Sequence, residues 1–152
     1  MDWIFDEYVL TDERERLDIE AAFQLLATTY WAVDRPREVF ETAVNHSICC
    51  GLFHGGKQIG FCRAVTDHAT FTWICDVIVH PEHRGRGLGK WMVQCLINHP
   101  RIQTRTQLLA TRDAHGLYQR FGFGTPDNDY LKRSLPLEKW QAFNIGAAPG
   151  LV

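Results

Sequence analysis

The run VIVHPEHRGRGLGK, residues 77–90, places Gly85, Gly87 and Gly89 at alternate positions, directly after an apolar segment and directly before a helical pattern. Glycine at such a turn puts no Cβ between backbone and ligand and accepts positive φ, so its amides can turn outward. A helix that begins there adds its free N–H groups and the positive end of its dipole. The chemistry is anion binding, with phosphate the usual guest. Two phosphate loops fail on spacing. A Walker loop needs glycine where Arg84 stands and Ser or Thr where Trp91 stands, and a dinucleotide fingerprint starting at Gly85 needs glycine where Lys90 stands. What remains is Arg84-x-x-Gly87-x-Gly89, behind a Val79-x-Pro81 turn.

Two further side chains could do proton chemistry. Asp76 lies in the strand-like WICDVIV that feeds the glycine turn, and Tyr118 lies in the helical AHGLYQRF downstream. Strict alternation sets Cys75 and Val77 on one face of the strand and Asp76 with Ile78 on the other, and a β-bulge would reverse that assignment. Asp76 reads equally as a structural carboxylate. Cys75 and Cys95 carry no sign of a low thiol pKa. His80 with His83, and His46 with Cys49, Cys50 and His54, lack the further ligands and spacing of a metal site, so no metal is expected.

The elements that must position these groups follow from periodicity. Residues 3–10 read as a strand. Asp18 caps a helix through Ile19, Ala22, Phe23 and Leu26 to about Trp31, and Pro36 opens a second helix through Phe40 and Ala43. Residues 47–54 and 58–66 read as strands joined at Gly55-Gly56, and residues 70–79 as a central strand. A helix over 87–99 carries Leu88, Met92 and Leu96 at helical spacing. A short strand over 107–111 and a helix over 114–121, capped by Asp113, ended by Gly122 and turning Leu117 and Phe121 to the core, come next. Residues 130–135 read as one more strand. The order is a mixed α/β layer around an antiparallel meander, with the helix after the central strand making a right-handed parallel crossover to 107–111.

With this order in place, VIVHPEHRGRGLGK resembles the acetyl-CoA motif of the GNAT family of N-acetyltransferases, [RQ]-x-x-G-x-[GA] behind a V-x-P strand end. LLATRDAHGLYQRFGFGTP resembles that family's next element, and the likeness spans about residues 3–135. It implies a GNAT-like fold: a mixed, mostly antiparallel sheet whose middle strands splay, with helices on both faces. Amides of Gly85, Arg86, Gly87, Leu88, Gly89 and Lys90, with Arg84 and Asp113 beside them, would hold the cosubstrate acetyl-CoA. Main chain of Val77, Ile78 and Val79 would pair with its pantetheine arm. An acceptor amine would attack directly in a ternary complex. Tyr118 matches the family's tyrosine acid and Asp76 is the leading base, although the adjacent acid common in relatives is Cys75 here. Tyr30, Trp31 and Trp73 read as core by type, yet the family's first helices cover the acceptor pocket, so these residues and Cys75 are its expected lining.

Composition narrows the class. Sixteen Lys+Arg against eighteen Asp+Glu leave a net charge of −2, without the basic excess of a nucleic-acid binder. No apolar run is long enough for a membrane span, and the acidic start lacks the form of a signal peptide. The five cysteines read as small buried hydrophobes in a reducing compartment, which points to the cytoplasm. The expectation is one acetyltransferase domain over 1–135 with an extension over 136–152, acting on a small-molecule or peptide amine, without nucleic acid, membrane or metal. A homodimer stays open. A CoA-binding regulatory domain without turnover, and a general phosphate-binding module equally fond of ATP or NAD, are the alternatives.

Overall fold

In the computed structural model, which describes residues 1–125 and 131–134, six strands form one sheet in chain order. They are β1 Asp2–Phe5, β2 Tyr8–Thr11, β3 Ile48–His54, β4 Lys57–Thr66, β5 Phe71–Val79 and β6 Thr106–Leu108. Neighbours are antiparallel except β5 and β6, which run parallel through the crossover helix. The helices are α1 Ile19–Ala27, α2 Arg37–Asn45, α3 Leu88–Ile97 and α4 His115–Gln119.

Alternation along the strands divides the apolar residues into two cores, one on each face of the sheet. Cys50, Leu52, Cys62 and Ile74 pack with Met92, Cys95 and Leu96 of α3. Cys49, Phe61 and Ile78 pack with Leu25 and Leu26 of α1 and Phe40 and Val44 of α2. The adjacent pairs Cys49/Cys50 and Phe61/Cys62 thus separate to opposite sides. Desolvation pushes the Cys49 thiol up to about 12 and Cys95 to about 11, as befits side chains that pack rather than react.

Several boundaries differ from the sequence reading, each for a local reason. Residues 3–10 form two strands, because Asp6 turns the chain at φ 52°, a conformation that a short polar residue tolerates. Helix α1 starts under its Asp18 cap, which accepts from the Ala21 N–H at 2.9 Å, but it ends at Ala27 and not near Trp31. There Thr28 and Thr29 donate to the carbonyls of Leu25 and Leu26, each at 2.7 Å, and close the last turn. Strand β6 is only three residues long, so Leu109 and Ala110 leave the sheet. Asp113 does not cap α4: the N-cap is Ala114, whose N–H is taken by the Thr111 hydroxyl at 3.0 Å. Gly122 turns the chain at φ 84° just past that helix. Residues 131–134 are not a strand, and the rest of that expected element and the 136–152 extension lie outside the described residues. Among the described residues, no helix is long and apolar enough to cross a membrane.

Candidate active site

Strands β5 and β6 pair only through Phe71–Thr106, Thr72–Gln107 and Trp73–Leu108. Past Trp73 they part, and residues 74–79 keep a neighbour on the β4 side alone. A cavity of about 860 Å³ opens in this splay. Val77, Ile78 and Val79 line it from β5, the glycine turn closes one end, and Tyr118 and Leu117 of α4 flank it.

At the glycine turn the backbone itself explains the residue choice. Gly85 and Gly87 sit at φ 76° and 80°, strained for any L side chain, and Gly87 is the N-cap of α3. A Cβ at Gly85, Gly87 or Gly89 would meet nothing within 4 Å, so all three border open space. The N–H groups of Leu88, Gly89 and Lys90, in the first helical turn, have no intrahelical acceptor. Arg84 Nε donates to the Val79 carbonyl at 2.9 Å and ties the turn to the end of β5. The Arg86 side chain lies outside the cavity and donates to the Tyr8 hydroxyl at 2.9 Å. His83, weighed above only as a metal ligand, does line it. Desolvation, with His54, Arg86 and His80 nearby, lowers its pKa.

The β4–β5 ladder carries a bulge. Phe61 faces Ile78 and Arg63 faces Cys75, so three steps on β5 match two on β4, and Asp76 takes up the extra residue at φ 56°. The bulge reverses the faces. Ile74 joins the α3 core and Ile78 the α1–α2 core, positions that unbroken alternation would have put together. Cys75 and Val77, expected on one face, are likewise split: Val77 packs on the α3 core, while Cys75 lies opposite Arg63.

Asp76 is not placed as a proton acceptor. Its carboxylate is 1% exposed and accepts from Arg35 Nη1 at 2.7 Å, Arg35 Nη2 at 3.0 Å and Arg63 Nε at 2.7 Å. Burial alone would raise its pKa, but the hydrogen bonds and charges of the two guanidiniums prevail and hold it below the usual carboxylate value. A base needs the reverse, a pKa lifted toward neutrality. Arg35 and Arg63 line the cavity too, and the sequence reading missed both. Arg63, a lone charge within the apolar strand GFCRAV, gave a signal; Arg35, 41 positions from its partner in a loop, gave none.

Tyr118 is the buried residue of α4, whereas Leu117 and Phe121, expected to face the core, are half-buried. A helix of five residues sets its inward face by its flanking loops more than by an apolar stripe. Desolvation pushes the Tyr118 hydroxyl up to about 12, and its ring meets Phe123 edge-on at 6.0 Å. Asp113 lines the same cavity from the loop before α4. At the other end are Tyr30, Trp31, Trp73 and Cys75. Tyr30 and Trp31 are 48% and 44% exposed, so they are wall and not core. The Arg112 guanidinium lies 4.2 Å above the Tyr30 ring, linking the α1–α2 segment to the loop before α4 across the opening. His80 and His83 approach at 6.2 Å, but among the described residues no three potential ligands gather to hold a metal ion.

The acetyltransferase (GNAT) domain family matches residues 45–125. An uncharacterized N-acetyltransferase of Porphyra purpurea is 32% identical, over 81% of this chain and 76% of its own. The crystal structure of a protein of Xanthomonas campestris pv. campestris, assigned to the GNAT family, has a TM-score of 0.82 at 39% identity, covering 88% of this chain and 96% of that one. The ribosomal-protein-S18-alanine N-acetyltransferase of Escherichia coli shares the fold, with a TM-score of 0.64 at 19% identity over 79% of each chain.

Proposed function

The chain belongs to the GNAT family of acetyltransferases, and from that premise we propose that it transfers the acetyl group of acetyl-CoA to an amine in a ternary complex. The observation that carries the reading is the free edge of β5 running straight into an open glycine turn at the start of α3. Acetyl-CoA brings a thioester carbonyl activated toward amines.

The residues present fit that cosubstrate. Gly85, Gly87 and Gly89 border open space at a positive helix end, where the amides of residues 85–90 suit a pyrophosphate. The edge of Val77 and Ile78 offers main-chain groups to an amide-bearing arm, while the Val79 carbonyl is already engaged by Arg84. An N–H of β5 near the bulge polarises the thioester carbonyl. The amine nitrogen bonds to the carbonyl carbon as the C–S bond breaks, and the amine proton leaves to water through the open cleft. Asp76 orders Arg35 and Arg63 and takes no proton.

Tyr118 supplies a proton to the departing sulfur and recovers one from solvent. With its pKa pushed up to about 12 it stays protonated throughout the neutral range. Cys75, on the cavity wall, is likewise pushed up to about 12 by desolvation. A thiolate released in such surroundings would be basic enough to take the tyrosine proton. The buried free thiols suit a reducing compartment, and the cytoplasm is the proposed location. Incubation with acetyl-CoA and a panel of primary amines, reading free thiol, tests the reading. Release of CoA that depends on amine is expected, and CoA binding without release on any amine would favour the silent domain.

A further inference from the structure

At the acceptor end of the cavity, charge is out of balance. Arg35 and Arg63, 14% and 11% exposed, share the single carboxylate of Asp76. Asp76 already accepts three guanidinium N–H groups on its two oxygens, and its one negative charge offsets only one of the two cations. Among the described residues on the cavity wall the other acid is Asp113, exposed on the loop before α4. Arg112 adds a further cation over Tyr30 at the same opening. Cys75 contributes no negative charge, because its thiol is held neutral. Two largely desolvated guanidiniums against one carboxylate leave a positive charge that water reaches poorly.

We infer that the acceptor is an amine that also bears a carboxylate, in the manner of a free amino acid, with the carboxylate meeting the Arg35–Arg63 side of the cleft. Guanidinium is the side chain best shaped for a carboxylate, through paired N–H donors. Arg63 retains donor capacity, having committed Nε to Asp76 and Nη1 to the Ser47 hydroxyl at 2.9 Å. A diamine would carry a second cation into a site where cations already outnumber acids. The inference rests on the acetyl-transfer reading above and specifies its substrate class.

The test is kcat/KM with acetyl-CoA over a panel of amino acids, each beside its own C-terminal amide, with putrescine as the diamine. The amide's amine is the less basic, so chemistry alone favours the amide and cannot produce a preference for the acid. The expected result is about tenfold or greater preference for the acid, the scale of a close charge pair, shrinking as salt is raised to about 0.5 M. In Arg63→Gln the acid-to-amide ratio should fall toward one, and a ratio carries the answer even if that variant is less stable. Equal or better turnover of amides or putrescine would overturn the inference while leaving acetyl transfer standing. Turnover of no amine at all would remove the transfer reading and the inference together.

Discussion

Replacing Asp76 by Asn separates a structural carboxylate from a catalytic base. The substitution keeps the volume and removes the charge that neutralises Arg35 and Arg63. Three short hydrogen bonds, at 2.7, 3.0 and 2.7 Å, lose their ionic partner, and an amide NH2 is turned toward guanidinium donors. Breaking a buried ion pair on one side costs about 3–5 kcal/mol, and the slight exposure of both arginines places this case near the lower end, ~3 kcal/mol. For a chain of this size that is a fall in Tm of about 6–12 °C. The sign with pH follows from the depressed native pKa. Asp76 stabilises fully above its unfolded value near 3.8, and the contribution is lost as pH falls through the lower native value. Circular-dichroism melts of parent and variant should therefore differ at pH 7 and converge as pH falls through the depressed native value. In kinetics, the variant should raise the acceptor KM more than it lowers kcat, with the acid limb of the pH–rate profile unmoved. An Asp76→Asn protein that melts with the parent and slows only on the acid limb would refute this reasoning and restore Asp76 as the base.

Other outcomes follow from the same structure. Tyr118→Phe keeps the ring against Phe123 and should leave Tm and acetyl-CoA affinity nearly intact, while single-turnover acetyl transfer slows by ~10²–10⁴; an unchanged rate between about pH 6 and pH 9 would make the hydroxyl structural. With that hydroxyl protonated up to about 12, the parent's rate should show no loss on the alkaline side before about pH 10, which a stopped-flow pH series reads directly. Asp18→Ala removes the cap on the Ala21 N–H and should destabilise by about 1 kcal/mol in urea melts with no change in m-value.

The glycine turn and the helix behind it were legible because their demands are local: positive φ at Gly85 and Gly87 asks for one residue type at fixed positions. Strands β3, β4 and β5 were legible for the same reason, each a run of β-formers bounded at one end by Gly55-Gly56 or Pro81. Boundaries failed where a side-chain bond closed an element, as the hydroxyls of Thr28 and Thr29 close α1. The bulge at Asp76 stayed open between two readings. Neither residue type nor spacing announces an aspartate at φ 56°, and one inserted residue reverses the face of everything after it. Arg35 was out of reach because its role exists only through a contact 41 residues away. The faces of α4 were misread because five residues define no stripe.

Calorimetric titration with acetyl-CoA, ATP and NAD, on the parent and on Gly87→Val, tests the central claim most directly. Valine at φ 80° cannot hold the turn that opens the amides of residues 85–90, yet its Cβ would meet nothing within 4 Å, so the strain stays local to the turn. The account predicts that the parent binds acetyl-CoA well ahead of ATP and NAD and that Gly87→Val, still folded by circular dichroism, loses that binding. Undiminished acetyl-CoA affinity in the folded variant, or parent affinity for ATP and NAD equal to that for acetyl-CoA, would contradict it.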